Sequence, residues 1–131
     1  MRIQLTYETL LGEKAKMASD NYFSLCYTVD TALGLYKSSK EKNLKKIHIA
    51  SEKIINRLTM ANTIKQNSAK GDSMFFTECK FSEIPYSEPR GRVNDLNCKL
   101  SRDLFKMKYF DSDDLILKKV KYLDRSLNFN K

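Results

Sequence analysis

Along the first third of the chain, Leu11, Ala18, Tyr22, Leu25, Val29, Ala32, Leu33 and Tyr36 recur mostly at three- and four-residue steps. At about 100° per residue such steps bring side chains onto one stripe, so the pattern predicts a long amphipathic helix from Thr6 to Ser38. Gly12 is placed to interrupt it, and Ser19 or Asp20 to cap a second piece beginning at Asn21. Beyond Ser38-Ser39, the residues Leu44, Ile47, Ser51, Ile54, Leu58 and Ala61 hold a similar spacing and predict a second helix over Lys40 to Gln66. The short link between the two favours an antiparallel hairpin.

Residues 67–92 change character. They contain Gly71, Pro85, Pro89 and Gly91, and the run Phe75-Thr77-Cys79-Phe81 alternates as a strand does. Helical spacing returns at Val93, Leu96, Leu100, Leu104 and Met107. Then Asp111-Ser112-Asp113-Asp114 supplies carboxylates that accept from free backbone donors and oppose the helix dipole, which predicts an N-cap. A last helix follows with Ile116, Val120, Leu123 and Leu127 on one face. The expected fold is therefore all-α: a compact four-helix bundle with an irregular or short β excursion at about 67–92, in one domain over 1–131.

Composition fits a folded, water-soluble chain, with 41% hydrophobic and 31% charged residues in 131. No apolar run exceeds three residues, against the roughly 20 that cross a bilayer. The N-terminus lacks the apolar core of a secretory signal, and the expectation is a cytoplasmic protein without membrane insertion. Cys26, Cys79 and Cys98 are odd in number and widely spaced, with His48 the only histidine. Neither a disulfide framework nor a metal site is written there, and no cofactor is implied.

Net charge is +8, and it is concentrated. Residues 37–70 hold nine cations against two acids, whereas residues 1–36 hold three against four and residues 71–131 twelve against ten. On the predicted second helix, Lys42, Lys46, Lys53 and Arg57 fall in a narrow band opposite the apolar stripe. Such a band either follows a phosphate backbone or an acidic protein surface, or simply solvates an exposed face. Ile49, Met60 and Ile64 share that side, so part of it is covered by another element or offered to a partner. A second surplus face comes from Cys98, Phe105 and Tyr109, which align away from the stripe of Leu96, Leu100, Leu104 and Met107. That face is either sandwiched in the bundle or free to take a partner helix or a second copy.

Catalytic signals are sparse. His48 has no nucleophile beside it in sequence. Glu78-Cys79-Lys80 is similar to the E-x-K element of divalent-metal nucleases, but its acidic companions would have to be Asp72 or Asp30. The segment 111–122 carries Ile116 and Tyr122 where a calcium loop needs Gly and Glu. The order Leu25-Cys26-Tyr27, then Ile47-x-x-Ala50-x-x-x-Ile54-Ile55-x-x-Leu58, then an Asp-introduced closing helix, resembles the helical pattern of flagellin-export chaperones. That resemblance implies a helical bundle binding a partner's helix and transfers no residue roles. The leading expectation is a non-enzymatic interaction module, an adaptor, chaperone or small regulator. The alternative is a nucleic-acid-binding regulator using Lys42, Lys46, Lys53 and Arg57.

Overall fold

The computed structural model describes residues 2–12, 15–88, 90–94 and 96–128. Its elements run α1 (Arg2–Leu11), β1 (Ala15–Ala18), β2 (Tyr22–Ser24), α2 (Thr28–Ser38), β3 (Ile54–Asn56), α3 (Arg57–Asn67), β4 (Phe76–Cys79), β5 (Val93–Asn94), α4 (Lys99–Phe105) and α5 (Ser112–Asn128). Helices and short strands interleave, so the fold is mixed α/β and the all-α four-helix bundle is corrected. The likeness to export chaperones, which rested on that bundle, goes with it.

Strands β1 and β2, which belong to two small sheets, interrupt the long helix expected over Thr6 to Ser38, of which α2 and the end of α1 are helical. β1 pairs in parallel with β4, from Ala15 opposite Phe76 to Ala18 opposite Cys79. β2 lies between β3, antiparallel, and β5, parallel. β1 and β2 show the alternation of half-buried strands: Ala15 and Met17 face in with Lys16 out, and Phe23 faces in between Tyr22 and Ser24. Asn21 and Asn56 fasten the corners, donating to the carbonyls of Arg92 at 2.8 Å and Ser19 at 2.9 Å.

The predicted helix over 40–66 survives only from Arg57 onward. As a helix, residues 40–53 would set Lys42 one turn from Lys45 and Lys46, a like-charge contact that weakens helices. The β-branched Ile47 and Ile49 also prefer extended backbone. The segment instead runs irregularly to strand β3, and Ser51 donates its N–H to the Leu25 carbonyl at 2.7 Å. α3 then starts at a cap, the Asn56 side chain accepting from Thr59 N–H at 2.7 Å. Its buried face is Met60, Ala61 and Ile64, so Met60 and Ile64, expected beside the cations, are core, while Ile49 is half-buried on the irregular segment.

Two apolar clusters hold the molecule together. The larger one gathers Tyr7 and Leu10 of α1, Met60 and Ile64 of α3, and Ile116, Val120 and Leu123 of α5, with Met17, Phe23 and Met74. The smaller one gathers Ala50, Cys98, Phe105, Met107 and Tyr109, with Leu44, Ile47 and Ile49 against it. α5 meets its sequence reading: Asp111 accepts the N–H groups of Asp113 at 2.8 Å and Asp114 at 3.4 Å, and Ile116, Val120 and Leu123 turn inward. Leu127 has its side chain outside the described residues.

Candidate functional site: two helix faces and a basic groove

α2 is mounted by its narrow side. Only Gly34 is buried on it, and Thr31, Lys37 and Ser38 flank that contact. A Cβ at Gly34 would lie 2.0 Å from Ile49 Cδ1, so glycine allows the irregular segment to cross the helix closely. With that side inward, the apolar stripe points to solvent: Val29 is 58% exposed, Leu33 42% and Tyr36 60%. These three residues had been placed on the core side, and the short contact at Gly34 is what turns them outward.

α4 is likewise turned over. Leu100 and Leu104 on the helix and Leu96 ahead of it are 52%, 43% and 42% exposed, whereas the N-cap Cys98, Phe105 on the helix and Tyr109 beyond its end are 4%, 6% and 8% exposed. The partner face expected at Cys98, Phe105 and Tyr109 is thus the helix's inner side, and of the expected core stripe only Met107 is buried. A polar lock explains the choice. Ser101 donates to the His48 carbonyl at 2.8 Å and accepts from the Tyr109 hydroxyl, which places Cys98, Ser101 and Phe105 together against the smaller cluster. Burial pushes the Cys98 thiol above its ordinary range. The helix stops at Lys106, which takes the left-handed conformation at φ 53°. The Lys37 ammonium donates to the Phe105 carbonyl at 2.8 Å and ties the C-terminal ends of α2 and α4 together.

The four cations singled out in the sequence do not share a helix. Lys42 and Lys46 lie on the irregular segment, Lys53 is ion-paired with Asp113, and Arg57 opens α3. Lys42 and Lys46 do meet α4, however. Lys42, with Lys40 and Leu44, faces Leu104 across a hollow of about 460 Å³. Lys46, with Ile47 and His48, faces Leu100 across another of about 540 Å³ that Lys99 and Asp103 also border. A hydrogen bond and ion pair from Lys99 hold the Asp103 carboxyl below the usual carboxylate range. Leu100 and Leu104 therefore line one side of a groove, made of these two neighbouring hollows, whose other side carries Lys40, Lys42 and Lys46 of the basic excess. No sequence periodicity pointed to this arrangement, because it depends on α4 being turned over.

Among the described residues the E-x-K element gathers no cluster of metal ligands. Glu78 lies on β4, Asp72 in a one-turn 3₁₀ helix, and the Asp30 carboxylate on α2 accepts the Phe110 N–H at 3.0 Å. Among the described residues no group of three or more His, Cys, Asp and Glu side chains could hold a metal ion, and the cysteines are free thiols. None of the described helices is long and apolar enough to cross a membrane. No protein-family model matches the chain, and no curated protein is significantly similar to it.

Proposed function

We propose that the protein is a non-enzymatic interaction module, an adaptor or small regulator, that docks a protein partner through the outward faces of α2 and α4. The observation that carries this reading is the outward turn of two apolar stripes, Val29-Leu33-Tyr36 and Leu96-Leu100-Leu104. Single exposed leucines are ordinary on soluble proteins, but helices that bury their narrow side and expose their apolar one are the usual makings of an interface. A cytoplasmic location belongs to the same reading, supported by three free thiols, two of them buried.

The test replaces Leu100 and Leu104 together by Ser. Both are exposed, so thermal unfolding should stay within about 2–4 °C of the parent. Affinity capture from the source cells should recover a stoichiometric, nuclease-resistant protein with the parent chain and lose it with the variant. Equal capture by both chains, or recovery only of nuclease-sensitive nucleic acid, would refute the docking reading.

A further inference from the structure

The groove between α4 and residues 40–48 has a chemical signature of its own. Its walls carry apolar side chains, Leu100 and Leu104 one helical turn apart on one side and Ile47 and Leu44, half-buried against the smaller cluster, on the other. Its rim is cationic. Among the described residues no carboxylate pairs with Lys40, Lys42, Lys45 or Lys46, and Lys40 rests on the Tyr36 ring with its ammonium 2.8 Å from the hydroxyl. The two acids in the hollows change little: Asp103 is neutralised by Lys99, and Glu41 stands alone among the lysines.

Resting on the docking reading above, we infer that the occupant of this groove is an acidic amphipathic helix of a protein partner. Apolar residues at i and i+4 on the groove wall complement a helix presenting its own apolar residues at i, i+3, i+4 and i+7. Carboxylates flanking that stripe would meet Lys40, Lys42 and Lys46, and rim charges of this kind set partner choice and speed encounter. A second copy is a poorer occupant, since its groove would set lysines against lysines. A phosphate backbone could follow the rim but would leave Leu44, Leu100 and Leu104 facing water.

The experiment uses the full chain and three labelled 18-residue helical peptides that share one leucine face and carry Glu, Gln or Lys on both flanks. Fluorescence anisotropy at low and at physiological salt should rank them Glu, Gln, Lys, with the Glu peptide about tenfold or more ahead of the Lys peptide and the gap narrowing as salt rises. Reversal of the exposed rim by Lys42→Glu with Lys46→Glu should invert the ranking, with circular dichroism unchanged. Equal affinity for all three peptides, lost in the Leu100→Ser, Leu104→Ser variant, would overturn the acidic partner and leave docking standing. Peptide binding that survives the leucine changes would overturn the groove as the site. A 20-base-pair duplex that outcompetes the Glu peptide on the parent chain, or a dimer in sedimentation that masks the groove, would overturn the inference in favour of that occupant.

Discussion

Asp124 joins three parts of the chain through one carboxylate. The hydroxyls of Tyr7 at 2.5 Å and Ser68 at 2.7 Å donate to one oxygen, and the Ala69 N–H at 2.8 Å donates to the other. Burial opposes ionisation of the group, yet these donors outweigh it and hold the carboxyl below the usual Asp range. Burial and the neighbouring carboxylate together push the Tyr7 hydroxyl upward, consistent with Tyr7 remaining the donor. A lowered carboxyl pKa stabilises the fold above the unfolded value of about 3.9, and that contribution is lost as pH falls through the folded value. Asp124→Asn keeps the shape but turns an amide donor toward the Ala69 N–H, so it should cost about 1–3 kcal/mol at pH 7. The difference from the parent should shrink as pH drops below about 4, because the parent then loses its charge as well. Urea unfolding at pH 7, 5 and 3 measures this, and a penalty independent of pH would show that the carboxylate charge does not contribute.

Gly34 decides how α2 is mounted, and the decision rests on a contact invisible to local spacing. Adding a methyl at Gly34 raises helix propensity by about 1 kcal/mol, but the new Cβ would fall 2.0 Å from Ile49 Cδ1 and 3.0 Å from Cγ1. Crowding of this severity displaces the side chain and its segment, so Gly34→Ala should be net destabilising by about 1–2 kcal/mol. Ile49→Val removes Cδ1 and should recover at least half of the loss, a positive coupling readable from a double-mutant cycle in denaturant. Additive effects would mean that Ile49 does not cross the helix at Gly34. The same contact marks the limit of what the pattern of residues could show. α5 was legible because its cap and apolar stripe are local, and a strand was legible at Phe76–Cys79, although Phe75 and Thr77 of the expected alternation are exposed and only Cys79 is buried. Residues 40–53 carry a helical spacing of apolar positions that their like charges and β-branched residues overrule. The side of α4 that faces inward is fixed by Ser101, which accepts from the Tyr109 hydroxyl and donates to the His48 carbonyl, a signal that hydrophobic spacing does not carry. Hence Lys42 and Lys46 were recognisable as candidates, while the leucines they face were assigned to the core.

The two apolar clusters differ in size and in what they anchor, and this predicts two levels of stability within one chain. The larger cluster has fifteen buried members and locks α1, α3 and α5, whereas the smaller has five and holds α4 and the 44–50 segment against α2. Among the described residues the bridges between them are polar or lie at the surface: the Ser51 N–H to Leu25, the Ser112 hydroxyl to Ser51 at 2.8 Å, the Cys26 thiol to the Ile49 carbonyl at 3.1 Å, the Leu96 N–H to the Ser24 hydroxyl at 3.3 Å, the Tyr27–Phe110 ring contact, and the Lys53–Asp113 pair, whose side chains are 48% and 41% exposed. Regions with less buried apolar contact open at lower free energy than the whole molecule. Amides of α3 and α5 should therefore exchange with solvent only through global unfolding, and those of α2 and α4 through a cheaper partial opening. Phe105→Ala sharpens the expectation. Phe105 is 6% exposed in the smaller cluster, so truncation should cost about 3–5 kcal/mol locally, enough to release α2 and α4 while α3 and α5 keep most of their protection. Hydrogen exchange followed by mass spectrometry distinguishes the outcomes, since a loss of protection spread evenly over all five helices would mean a single cooperative core. A separately opening layer would also suit the docking reading, because a helical partner seated against α4 and residues 40–48 would add buried area where the molecule has least, and its binding should raise the protection of α2 and α4 before that of α3 and α5.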